Sequence, residues 1–122
     1  MGWERKLTFN MPAFQWNVCL ADVGFVEGEG AKIRPVLVMN EPIGAHKIVI
    51  VAPIYSVKST HSLTGDVKIK NSQSAMGLIK PSTIRLHRMV ALPASDLKER
   101  IGHASIQIQV RLKEGLKELF KL

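Results

Sequence analysis

The sequence has a single cysteine and no long apolar run. Cys19 is the only cysteine among 122 residues, so an internal disulfide is excluded and a reducing compartment is expected. No apolar run approaches the ~20 residues that a membrane helix needs. The stretch after Trp3 is too polar for a signal peptide. We therefore expect a cytoplasmic protein without a membrane anchor.

Metal-binding and nucleotide-binding fingerprints are also missing. The four histidines, at positions 46, 61, 87 and 103, show no metal-ligand spacing with one another or with the cysteine. The glycines at positions 24, 28 and 30 fit neither a P-loop nor a dinucleotide fingerprint. The sequence therefore predicts neither a metal ion nor a cofactor.

Acidic residues are scarce relative to basic ones. Seventeen Lys and Arg against ten Asp and Glu give a formal net charge of +7. A sequence pI near 9.9 favours a polyanionic partner such as nucleic acid. The hydrophobic share of 46% is ordinary for a globular protein. A chain of this length forms one domain with a high surface share, which dimerisation would reduce.

The main pattern in the sequence is a series of short runs rich in β-branched residues. They predict strands at 16–23, 36–40, 46–55, 66–70 and 82–90. In the last of these, alternation places Arg85 and His87 on one face and Ile84 and Leu86 on the other. A short helix is predicted at 95–102. A final helix is predicted after Ser105, with an apolar stripe of Ile108, Leu112, Leu116 and Leu119.

Four stretches carry motifs in a fixed order. Gly28, Glu29 and Arg34-Pro35 form a glycine-rich loop, and Pro53-Ile54-Tyr55-Ser56 ends a strand. Residues 63–69 read Leu-Thr-Gly-Asp-Val-Lys-Ile, and residues 84–88 read Ile-Arg-Leu-His-Arg. From about residue 16 to 122 the chain resembles the MazF/PemK (Kid) family of toxins from bacterial toxin–antitoxin pairs. That family has Gly-x-Glu-x-Gly-x-Arg-Pro, Pro-[Leu/Ile]-Thr-[Ser/Thr], Leu-Pro-Thr-His-Val-x-Ile, and a strand with an acidic residue and Gln.

The resemblance implies a fold and a function. The fold is mainly β (α+β), a small antiparallel β-barrel of the CcdB/MazF kind with a C-terminal helix, occupying residues 16–122 after an extension at 1–15. The function is a sequence-specific, metal-independent endoribonuclease toxin that cleaves single-stranded RNA or mRNA, forms a homodimer and is neutralised by an antitoxin protein. In the family the ribose 2′-hydroxyl attacks the adjacent phosphate. An inactive relative that binds RNA or a protein partner stays open, as does a CcdB-like gyrase poison, which the Arg-Pro loop argues against.

Four residues are catalytic candidates by the resemblance. Arg34 matches the family's catalytic arginine, and its planar fork of donors suits phosphate oxygens. The alternative for Arg34 is a surface salt bridge with Glu29. Tyr55 stands at the family's catalytic threonine, with Ser56 beside it, and can donate to phosphate or stack on a base. His87 replaces a carboxylate, so it is either a proton-transfer group or an RNA-stacking or surface histidine.

Further residues are candidates for RNA contact. Arg85 matches an arginine of Kid-like members, and Arg88 replaces the usual Gln. Taken singly, each basic residue can be a solvated surface charge. Taken together, they predict a basic groove beside Arg34. The RNA-binding candidates are Glu29, Lys32, Lys58, Lys80, Arg85 and Arg88.

Overall fold

The computed structural model describes residues 14–23, 32–56, 61–70 and 75–122. Most of the predicted N-terminal extension therefore lies outside the described residues. Within these ranges the chain forms seven strands, one α-helix and two short 3₁₀ turns, at Leu86–Arg88 and Ala94–Asp96. The strands are β1 (Asn17–Asp22), β2 (Ile33–Val38), β3 (Ile48–Ser56), β4 (Val67–Ile69), β5 (Ser82–Ile84), β6 (Val90–Pro93) and β7 (Leu97–His103), and the helix is α1 (Ile106–Phe120).

The strands form one antiparallel sheet in the order β4-β5-β3-β2-β1-β7. The long β3 also pairs with β6 along its first half, between Ile48 and Val51. Among the described strands, the end strands β4 and β7 do not pair with each other. The mainly antiparallel β fold with a C-terminal helix is confirmed, and the sheet is open where a closed barrel was predicted.

Both faces of the sheet are buried, which explains why the β-branched runs are nearly continuous. One cluster contains Leu37, Ala52 and Ile54, and it also includes side chains of α1, β4 and β5. The other contains Val36, Val38 and Val51, packed with β6 and β7. Alternate residues of β2 and β3 thus belong to different cores.

The C-terminal helix was predicted correctly. The Ser105 side chain accepts a hydrogen bond from the Ile108 N–H and caps the first turn. Ile108 and Leu112 are buried, and Leu116 and Leu119 pack against the same cluster. In the part of the chain that the structure describes, no helix is long and apolar enough to cross a membrane.

Two sequence-based predictions about the region before α1 were wrong. Residues 95–102 do not form a helix, because Leu97–His103 is strand β7 and pairs with β1. Pairing with a buried strand outweighs the modest helix propensity of this charged segment. The predicted strand at 82–90 is interrupted by a 3₁₀ turn at Leu86–Arg88. Leu86 still points into the core as expected, since it is fully buried.

Candidate functional site

Strands β2 and β3 bring Arg34 and Tyr55 together. The register pairs Val36 with Pro53, so two residues further along it sets Arg34 opposite Tyr55. The side chains of both residues lie on the same sheet face as the second core. They are half-buried at its edge. The Arg34 guanidinium carbon lies 4.4 Å from the centroid of the Tyr55 ring. The Arg34 Nε is buried and has no hydrogen-bond partner within the described ranges.

Two more guanidinium groups converge on the same ring. The Cζ atoms of Arg85 and Arg88 lie 5.9 Å and 5.6 Å from the Tyr55 centroid. Arg88 also donates from Nη1 to the Tyr55 hydroxyl oxygen at 3.3 Å, which leaves the phenolic proton free to be donated elsewhere. Guanidinium groups remain charged at all ordinary pH values, so three in this space repel one another. Such a cluster favours an anionic ligand, and a planar donor fork fits phosphate oxygens.

Asp66 is a site residue that sequence reasoning missed. Its side chain is only 1% exposed, and Oδ2 accepts hydrogen bonds from Arg85 Nη1 at 2.8 Å and from the Leu63 N–H at 2.9 Å. The Oδ1 atom lies 3.8 Å from His87 Nδ1 and has no hydrogen-bond partner in the part of the chain that the structure describes. A signal was present in the motifs, because Asp66 stands where the family pattern has histidine and His87 where it has a carboxylate.

The 3₁₀ turn explains how Arg85 and His87 reach the same carboxylate. The Arg85 N–H donates to the Pro53 carbonyl at 3.1 Å and so continues the pairing of β5 with β3. The chain then turns at Leu86–Arg88, with Leu86 anchored in the core. Arg85 and His87 therefore both contact Asp66, as the predicted shared face required, although the backbone there is not a strand.

The remaining candidates are distributed around this centre. Ser56 is exposed, pairs with Ser82 and lies on the opposite face of β3 from Tyr55, so the structure does not bring it to the arginine cluster. Lys32 is exposed two residues before Arg34, and its N–H donates to Asp22 Oδ1 at 3.2 Å.

Three further predictions concern residues at the margin of the site or beyond it. Lys80 is exposed in the turn before β5. Glu29 and Lys58 lie outside the described residues, as does the proposed contact between Glu29 and Arg34. Of the residues predicted to form a basic groove, the structure therefore describes Arg34, Arg85, Arg88, Lys32 and Lys80.

Neither metal-ligating clusters nor a reactive thiol occur in the described ranges. No group of three or more His, Cys, Asp or Glu side chains within them is placed to hold a metal ion. Burial raises the pKa of the Cys19 thiol to about 11, against a smaller opposing effect of the Arg100 charge. Because the thiolate is the reactive form of cysteine, Cys19 is an inert core residue.

Comparison with known proteins addresses the origin of this arrangement. No curated protein matches the chain. Among solved structures, Mycobacterium tuberculosis toxin MazF-mt6 is similar at a TM-score of 0.68 and 24% identity, covering 87% of this chain and 97% of that one. A mycobacterial endoribonuclease in complex with its cognate antitoxin is similar at 0.68 and 15% identity, covering 90% and 96%. A second mycobacterial endoribonuclease gives 0.65 and 11%, covering 91% and 93%.

These structural likenesses show a shared fold. The family follows from a match along the sequence, in which residues 14–120 fit the model for the PemK-like, MazF-like toxin of type II toxin–antitoxin systems. This match spans the arginine cluster, Asp66, His87 and α1. The chain therefore belongs to the PemK-like, MazF-like family of toxins of type II toxin–antitoxin systems.

Proposed function

We propose that this chain is a sequence-specific, metal-independent endoribonuclease that cleaves single-stranded RNA or mRNA. The observation that carries the proposal is the convergence of Arg34, Arg85 and Arg88 on Tyr55, with the imidazole of His87 beside Arg85 on the shared carboxylate. Cleavage by the neighbouring 2′-hydroxyl needs positive charge, a proton acceptor and a proton donor in one place. These side chains can supply all three.

The arginines bind the scissile phosphate in this mechanism. Arg34 is half-buried at the edge of the site, and its planar fork of donors fits the oxygens of a phosphate. Negative charge on the phosphoryl oxygens grows as the bond to the attacking oxygen forms, and fixed guanidinium groups stabilise it without reorganisation. Side chains thus supply the charge that a metal ion supplies in other nucleases.

His87 and Tyr55 move the protons. His87 accepts the proton of the 2′-hydroxyl as O2′ bonds to phosphorus and the bond between phosphorus and O5′ breaks. The leaving O5′ takes the phenolic proton of Tyr55, whose oxygen already accepts from Arg88. Water then carries the proton from His87 back to Tyr55. The products are a 2′,3′-cyclic phosphate and a 5′-hydroxyl.

The proposed RNA and antitoxin partners follow from the positive charges of these basic residues. RNA passes along Lys32, Lys80 and the arginines, together with Glu29 and Lys58. An acidic antitoxin segment covers this surface, since carboxylates and phosphates compete for the same cations and such segments order on binding. The complex of a similar endoribonuclease with its antitoxin supports this partner. The single thiol fits a cytoplasmic location.

We also propose that the protein is a homodimer. A domain of 122 residues buries a modest share of its surface on folding. Apolar side chains on α1 remain in solvent, with Ile106 71% and Val110 47% exposed on successive turns. Burial against a second copy would remove them from water.

The decisive experiment is RNA cleavage by purified wild type and variants. Arg34→Ala and His87→Gln should each lower kcat by on the order of 10²-fold or more. Arg34→Lys should recover only part of the loss, because an ammonium lacks the planar fork. Arg111→Ala removes the same charge from an exposed position on α1 and should leave the rate unchanged. Sequencing of the cut ends gives the specificity, and cleavage should persist in EDTA.

Several results would contradict the proposal. Wild-type protein that binds RNA without cutting any sequence would identify an inactive binding relative. Loss of cleavage in EDTA, with recovery on adding Mg²⁺, would refute the metal-independent mechanism. Full activity of Arg34→Ala would show that the arginine cluster is not the phosphate site.

A further inference from the structure

One oxygen of the Asp66 carboxylate accepts no hydrogen bond from the described residues. Its side chain is 1% exposed, and its Oδ2 already accepts from Arg85 and from the Leu63 N–H. The other oxygen, Oδ1, is buried without a hydrogen bond and faces His87 Nδ1 at 3.8 Å. A buried carboxylate oxygen without a donor is costly, and the imidazole is the group placed to satisfy it.

We infer that Asp66 is the positioning residue for His87: it holds the imidazole with the proton on Nδ1, so that Nε2 is the free base. This inference rests on the proposed ribonuclease function. A neutral imidazole carries one proton, and the hydrogen bond made by one nitrogen determines which nitrogen stays free. At 3.8 Å the two atoms are neighbours beyond hydrogen-bond distance, so the inference requires this contact to shorten when RNA binds.

Arg85 helps to fix the orientation of the Asp66 carboxylate. Because Arg85 and the Leu63 N–H both donate to Oδ2, the carboxylate cannot rotate away from His87 without losing two hydrogen bonds. The two hydrogen bonds to Oδ2 therefore hold the Asp66 side chain in place, and Oδ1 is left to accept from His87. Arg85 thus holds the carboxylate that orients the base, in addition to contributing charge beside Tyr55.

The first test measures which nitrogen of the His87 imidazole carries the proton, and it does not require cleavage activity. Nitrogen-15 NMR of the histidine rings, with the His87 signal identified by its loss in His87→Gln, should show the Nδ1–H tautomer in the wild type. In Asp66→Asn the amide oxygen must accept from Arg85 and Leu63, which leaves the NH₂ group facing Nδ1. His87 should then switch to the Nε2–H tautomer. Asp96→Asn, the same change at an exposed carboxylate, should leave the spectrum unchanged.

The second test measures cleavage. Asp66→Asn should lower kcat at least 100-fold with a KM within about threefold of wild type, since proton transfer is lost and phosphate binding is kept. Asp66→His and His87→Asp should each be inactive, and the double variant should recover at least tenfold over either. Thermal melting checks that each variant is folded.

The outcomes separate the two proposals. A wild-type His87 in the Nε2–H form, or an unchanged tautomer in Asp66→Asn, overturns the inference even if RNA is cut. A wild type that cuts no RNA overturns the proposed function, and the tautomer still reports whether Asp66 orients His87. A folded double variant no more active than the single variants also contradicts the pairing.

Discussion

Replacing Gly115 by alanine should destabilise the protein, although alanine is the better helix former. In the interior of a helix this substitution gains about 1 kcal/mol from backbone propensity. At Gly115, however, an added Cβ would lie 2.8 Å from Leu86 Cδ1 and 2.9 Å from the Gly65 carbonyl oxygen. Leu86 is fully buried and the second contact is with backbone, so neither can give way freely. Overpacking of this kind costs about 1–3 kcal/mol, so we expect a net loss of about 1 kcal/mol.

The assay is equilibrium unfolding in urea of wild type, Gly115→Ala and the exposed control Glu114→Ala. The comparison is valid where the free energy of unfolding falls with urea concentration at the same slope in all three. The control should lie within about 0.5 kcal/mol of wild type. Leu86→Val removes the atom in closest contact, so the double variant with Gly115→Ala should lose less than the sum of the two single losses. A Gly115→Ala protein as stable as wild type, or more stable, would refute the close contact of α1 with Gly65 and Leu86.

The remaining predictions concern other parts of the molecule. Cys19 should resist alkylation in the native protein at neutral pH and react only on unfolding, because burial raises the pKa of its thiol. Gly77→Ala should prevent stable folding, because Gly77 has a φ of +76° and its added Cβ would overlap the Ile101 carbonyl oxygen; fluorescence melting measures this. Sedimentation at micromolar concentration should give a particle of twice the 13.5 kDa chain mass, and a 13.5 kDa species alone would contradict the homodimer. Salt should weaken binding of both RNA and antitoxin, with the two competing for the protein.

The central strands and the last helix were predictable because local pattern and tertiary context agree there. The runs around Val36 and Val49 are β-branched and lie in the middle of the sheet, where both faces are buried. The Ser105 cap and the stripe that starts at Ile108 describe a helix with one buried face, and the structure has it. The family resemblance marked Arg34 and Tyr55 as candidates, and pairing of the central strands brings them together because both lie at strand ends.

Elements whose form depends on distant partners were not predictable. Leu97–His103 has a helix-compatible composition, and it is a strand because β1 offers it an edge. There Gly102 crosses the backbone at Met76 so closely that no Cβ fits. Asp66 escaped attention for a similar reason. Its role depends on Arg85 and His87, which lie 19 and 21 residues away along the chain and meet it only through the turn after β5.

The site is assembled from side chains beside two cores, and this separates Arg34 from the pair formed by Asp66 and His87. Arg34 and Tyr55 extend the rows of the cluster that contains Val36 and Val51. Asp66 and His87 are adjacent to Val67 and Leu86, which belong to the other cluster and pack near α1. A displacement of about 1 Å between reacting groups can cost on the order of 10²-fold in rate. The overpacked Gly115→Ala protein, assayed well below its unfolding transition, should therefore lose kcat while its affinity for RNA stays near that of wild type. Equal loss of affinity and rate would show instead that the two halves of the site move as one unit.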